Sequence, residues 1–74
     1  MMDNLSIGNN AGIVWRMLYD NRNGLSFEAL QEKTQLQAID LAAAVGWLAR
    51  EDKLQFLTDD QGHQKLSVFQ DFFF

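Results

Sequence analysis

Few residues of this 74-residue chain can do covalent or metal chemistry: one His (His63), the serines Ser6, Ser26 and Ser67, ten Asp and Glu, and no Cys. A zinc or related site needs three or four convergent thiolate, imidazole or carboxylate ligands. His63 has no second His or Cys to join it, and Asp59 with Asp60 makes only an unshaped carboxylate pair, so a solvated turn is expected there rather than a metal. Nucleophilic catalysis needs a base held against a hydroxyl. Ser26 is placed to cap a helix, and a lone His on a turn gives no reason to reach Ser6 or Ser67. Gly8 and Gly12 do not form a phosphate loop, because no strand precedes them and no Lys follows in the required place. No catalytic, cofactor-binding or metal-binding residue is expected, and the chain does not read as an enzyme.

What remains is non-covalent chemistry, and composition narrows it. Six Lys and Arg stand against ten Asp and Glu, a formal net charge of −4, while 47% of residues are hydrophobic. A chain of this length buries only about 60% of the surface it exposes when unfolded. Without a disulfide, dense packing or a partner subunit must supply the stability. Residues 1–74 read as a single domain with an apolar tail at 70–74; there is no repeat or linker. Met1-Met2-Asp3-Asn4-Leu5 is not a secretory signal and no apolar run is long enough for a membrane span, so a cytoplasmic location and no membrane partner are expected.

The elements that must position these residues are read from periodicity. Over 6–21, Ile7, Ala11, Val14, Trp15 and Leu18 recur at spacings of three and four, with Met17 on the flank, which predicts a helix capped at Ser6, Asn9 or Asn10 and weakened by Gly8 and Gly12. Asn21-Arg22-Asn23-Gly24 ends it in a turn, and a short extended piece at Leu25 follows. Ser26 caps a second helix over 27–34, whose inward face is Phe27 and Leu30. Leu36 plugs the next turn. A third helix spans 37–52 with Leu41, Val45 and Leu48 as its core stripe and Ala38 and Ala44 beside them.

After Lys53 the period changes to two. Leu54, Phe56 and Thr58 alternate with Gln55 and Leu57, Asp59-Asp60-Gln61-Gly62 turns the chain, and Leu66 and Val68 alternate with Ser67 and Phe69 over 65–69. A two-stranded ribbon needs a covering face, so one side must pack on the first and third helices. The fold class is α+β, mainly α: three helices followed by a two-stranded hairpin.

That order is the layout of the winged helix-turn-helix domain. Ser26-Phe27-Glu28-Ala29-Leu30, followed by Leu36, Leu41, Val45, Leu48 and Lys53-Leu54, resembles the apolar skeleton of that superfamily. Ile7-Gly8-Asn9-Asn10-Ala11-Gly12 with Val14-Trp15, and Gly46-Trp47-Leu48-Ala49-Arg50-Glu51-Asp52-Lys53, are similar to stretches of a bacterial winged helix-turn-helix family of unknown function. The resemblance covers the chain to about Phe69. It implies that the helix over 37–52 is the one that enters the major groove in members that read DNA. Gln37 stands where Ser or Thr is common, and the 34–37 turn lacks the usual Gly.

With Leu41, Val45 and Leu48 inward, the outward side of the third helix is Ile39, Asp40, Ala42, Ala43, Gly46, Trp47 and Arg50. Over 26–52, Lys33 and Arg50 face Glu28, Glu32, Asp40, Glu51 and Asp52. Duplex affinity rests on neutralised phosphates, so this balance disfavours nucleic acid. The face is instead small and apolar, with Trp47 as a large anchor. Trp47 either meets a partner or folds back beneath the hairpin as core. Trp15, beside Val14 and Leu18, reads as core. Three consecutive Phe cannot all be buried on one side of a strand.

The expected function is thus a small homodimeric interaction or regulatory module, with Ile39, Ala43, Gly46, Trp47, Phe72, Phe73 and Phe74 at the interface; another protein partner is a second possibility. The alternative is a DNA-binding transcription regulator, with Arg50, Lys53 and Lys65 on phosphates and Gln35 and Gln37 reading bases.

Overall fold

The structure, a computed structural model, describes residues 3–69. Three helices and a hairpin follow in order: α1 (Asn4–Tyr19), α2 (Phe27–Thr34), α3 (Ala38–Arg50), β1 (Leu54–Thr58) and β2 (Gln64–Val68). The expected tail at 70–74, with Phe72 to Phe74, lies outside the described residues.

α1 starts two residues earlier than its periodicity predicts, and its cap is Asp3 rather than Ser6, Asn9 or Asn10. The Asp3 carboxylate accepts from the Ser6 backbone N–H at 2.8 Å, and the Asp3 N–H donates to the Ser6 hydroxyl at 2.9 Å. That reciprocal pair satisfies two exposed helix-end donors with an Asp-x-x-Ser sequence. Ser6 therefore takes part in the cap from the third helical position instead of providing it. The Ser6 backbone N–H, and after it the Ser6 hydroxyl, hold the Asp3 carboxyl below the usual aspartate range.

α2 begins and ends where the sequence places it. The Ser26 hydroxyl accepts from the Ala29 N–H at 3.0 Å. Gln35 closes the helix in the left-handed conformation, φ 63°, without the glycine that region favours. Its side-chain amide donates to the Glu32 carbonyl at 2.6 Å.

The core is one cluster. Ala11, Val14 and Leu18 of α1 meet Leu30 of α2, Leu41, Ala44 and Leu48 of α3, and Leu54, Leu66 and Val68 of the hairpin. Val45 and Leu36 are half-buried against it, whereas Ala38 is exposed rather than beside the stripe. Ala38 is the first residue of α3, and a helix end projects beyond the neighbours that cover its middle.

β1 and β2 pair antiparallel from Leu54 opposite Val68 to Thr58 opposite Gln64. The expected extended piece at Leu25 is present as a single antiparallel bridge to Leu66, whose two backbone bonds measure 2.9 and 2.8 Å. β2 thus has β1 on one flank and Leu25 on the other, and Leu66, Ser67 and Val68 are all buried. The Ser67 hydroxyl donates to the Arg22 carbonyl at 3.1 Å, which satisfies it inside. Alternation in the sequence misses this. It also misses Phe56, which shares the face of Leu54 yet is exposed, on the outer strand β1, which pairs with β2 alone.

Candidate functional site

α3 presents the small apolar face that its sequence predicts. Ile39 is 63% exposed and Trp47 42%, and Ala42, Gly46 and Arg50 are also exposed, with Ala43 half-buried between them. Ile39, Ala43, Gly46 and Trp47 follow one another at helical spacing, so the structure brings them into one stripe about 12 Å long. Asp40 is half-buried in the first turn, where a carboxylate complements the positive helix end.

Trp47 is not wholly inside. It lines an open groove of about 420 Å³ between α1 and α3. Gly8, Ala11, Gly12 and Trp15 of α1 line it together with Leu48 of α3 and Lys53. Trp15, expected in the core, is half-buried: it packs on the core and stacks on Tyr19 with ring centroids 5.0 Å apart. The Arg22 guanidinium carbon sits 4.2 Å from the Tyr19 centroid, completing a column of two rings and a cation along this side of α1.

Gly8 and Gly12 are the residues that sequence reasoning undervalued, counting them only as weak points of a helix. A Cβ added at Gly8, Gly12 or Gly46 would meet nothing within 4 Å. Close packing inside the described chain therefore gives no reason for glycine at these helical positions, each of which destabilises a helix by about 1 kcal/mol relative to Ala. The signal was the i, i+4 spacing of Gly8 and Gly12 beside Trp15.

The residues suited to DNA are scattered. Gln35 and Gln37 lie at the N-terminal end of α3, both exposed, while Arg50 and Lys53 lie at its other end, about 20 Å away along the helix axis. The Gln35 amide is already bonded to Glu32. Lys65 is half-buried on β2, opposite Leu57 and packed near Gly24.

At the wing, the Asp59 carboxylate accepts from the backbone N–H groups of Gln61 and His63, both at 2.9 Å, and lies 3.6 Å from the His63 ring. The His63 backbone bond is the main cause that holds the Asp59 carboxyl below its ordinary value, with a smaller pull from Gln61. These acceptors shape the turn. Among the described residues no three His, Asp or Glu side chains converge as metal ligands would. No helix among them is long and apolar enough to cross a membrane.

Residues 2–68 match the family described as winged helix-turn-helix domain (DUF2582). An uncharacterized protein of Methanocaldococcus jannaschii is 38% identical over 56 residues, covering 74% of this chain and 80% of that protein. The solution NMR structure of protein BT2368 from Bacteroides thetaiotaomicron is similar with a TM-score of 0.77 and 37% identity, over 90% of this chain and 79% of that one. MepR, a transcription regulator of the Staphylococcus aureus multidrug efflux pump MepA, shares the fold at a TM-score of 0.60 and 15% identity. That alignment covers 88% of this chain and 46% of MepR.

Proposed function

The chain belongs to the winged helix-turn-helix domain family DUF2582, and from that premise we propose that it is a homodimeric protein-interaction or regulatory module. The observation that carries this reading is the outward stripe of α3, Ile39, Ala43, Gly46 and Trp47, on the helix that DNA-reading winged helices present to the major groove. Small residues let a second backbone come close, and a half-exposed Trp supplies an anchor of the type that dominates interfaces. Phe72, Phe73 and Phe74 give the sequence three further large apolar side chains for a partner to cover. The acidic balance around α2 and α3 supports a protein over a polyanion as the partner.

A second reading, a DNA-binding transcription regulator, is favoured by the fold shared with MepR, which is named as a transcription regulator. It would use Arg50, Lys53 and Lys65 on phosphates and Gln35 and Gln37 on base edges.

Sedimentation and a salt titration on mixed duplex DNA separate the two. The module reading expects a dimer at micromolar concentration that Trp47→Ala weakens at least about tenfold, the effect of losing about 1.4 kcal/mol of binding, with no retention on DNA at low salt. Duplex affinity that falls steeply with salt and drops on Arg50→Ala would instead establish the regulator. An 8.5 kDa monomer at high micromolar concentration would end the dimer reading.

A further inference from the structure

We propose that the groove between α1 and α3 is a binding site for a small, flat aromatic molecule that carries one carboxylate. The groove has the size of such a site. Its volume of about 420 Å³ lies within the range of about 300–1,000 Å³ common to small-molecule pockets. A partner helix about 10 Å across would occupy about 800 Å³ over the roughly 10 Å of α1 from Gly8 to Trp15, about twice what the groove offers. A flat ring system needs only a fraction of it.

The lining sets the shape and character of the occupant. Trp15 of α1 and Trp47 of α3 are the two indoles of the chain, and both line the groove, where they offer a further ring offset or edge-to-face contact. Gly8 and Gly12, one turn apart on α1, leave open space where a Cβ would stand, so a ring can approach the helix backbone there. Each of these glycines weakens α1, and no neighbour among the described residues requires either of them. An occupant of the groove gives both a purpose.

Lys53 sets the charge. It is the one charged residue in the lining, and it belongs to neither ion pair formed among the described residues. Glu51 and Asp52 precede it in the chain, but no carboxylate lines the groove. A single ammonium beside apolar and aromatic surface complements a ligand with an apolar body and one anionic group. With a formal net charge of −4 the chain as a whole repels anions, so an anion that binds must draw on this local arrangement. The site goes beyond the dimer reading, because every residue that lines it belongs to one subunit.

Titrating the isotope-labelled full chain with naphthoate, an aromatic carboxylate, tests it through the Gly8 and Gly12 amide and the Trp15 and Trp47 indole resonances. Expected are saturable shifts centred on these residues with a Kd below about 1 mM. Naphthalenemethanol, which lacks the charge, and cyclohexanecarboxylate, which lacks the aromatic ring, should each bind at least about threefold more weakly. Lys53→Gln should weaken naphthoate by at least about threefold and leave naphthalenemethanol unchanged. Gly12→Leu, which fills the groove at a position with open space, should abolish naphthoate binding while circular dichroism stays helical, and Gly8→Leu provides a second filling variant. No saturation by about 1 mM, equal binding of the three probes, undiminished binding in the folded filling variants, or naphthoate affinity unchanged in Lys53→Gln would overturn the proposal. Sedimentation of the same samples reports the dimer separately, so a monomer that binds naphthoate defeats only the dimer reading, and a dimer that does not bind it defeats only the ligand site.

Discussion

At two backbone positions residue type and conformation are related in opposite ways, matched at Gly24 and mismatched at Gln35. Gly24 has φ 97°, and a Cβ there would meet the Lys65 Cβ at 3.1 Å and the Leu66 carbonyl at 3.3 Å, beside the Leu25–Leu66 bridge. Gln35 adopts φ 63° with an ordinary side chain. Gly24→Ala is therefore expected to destabilise by about 1–3 kcal/mol, and Gln35→Gly to stabilise by up to about 1 kcal/mol, read from urea unfolding. The wing turn has its own pH signature. The His63 and Gln61 N–H groups favour the charged form of Asp59 and hold its carboxyl below its ordinary value in the folded chain. Its contribution is then fully present above the unfolded value and is lost as pH falls through the lower folded one. In Asp59→Asn the loss of Tm on acidification below about pH 4 should be smaller than in the parent chain. Carboxyl NMR should place the Asp59 midpoint below that of an ordinary aspartate.

The helices differ in how they are finished, and the differences follow from a few residues. α1 has a reciprocal Asp3–Ser6 cap and α2 a Ser26 cap, whereas Gln37 gives α3 no side-chain hydrogen bond at all. α3 also holds Gly46 on its outward face, in open space. An alanine there removes the helix-interior glycine penalty of about 1 kcal/mol. Gly46→Ala should therefore raise the stability of the isolated chain by roughly that amount. Under the dimer reading it should also weaken self-association, because the added methyl stands between two backbones. Denaturation at low concentration and sedimentation at high concentration read the two effects apart. An increase in stability with unchanged association would place the second copy elsewhere on the surface.

The whole molecule depends on one small core in which every element has a share. Leu41 is fully buried at the centre of α3 and belongs to the cluster that joins all three helices to the hairpin. Leu41→Ala should cost about 2–5 kcal/mol, a large part of what a domain of this size has, and appear as a marked drop in Tm. Much of this fold was legible in the residues themselves. The spacing of Ala11, Val14 and Leu18, the Ser26 cap and the change to period two after Lys53 each state a local preference, and all agree with the element order and hairpin observed. The outward stripe of α3 followed from the same periodicity. Burial did not follow so simply, since Ser67 is covered and Phe56 is exposed against strand alternation, according to which strand has neighbours on both flanks. Nor did the groove. A helical period tells which residues share a side of α1 or of α3, and so it grouped Gly8 with Gly12 and Gly46 with Trp47. Only the packing of α1 against α3 sets Gly8, Gly12 and Trp15 across from Trp47, because that juxtaposition depends on where the two helices meet in space, a long-range relation no local pattern encodes.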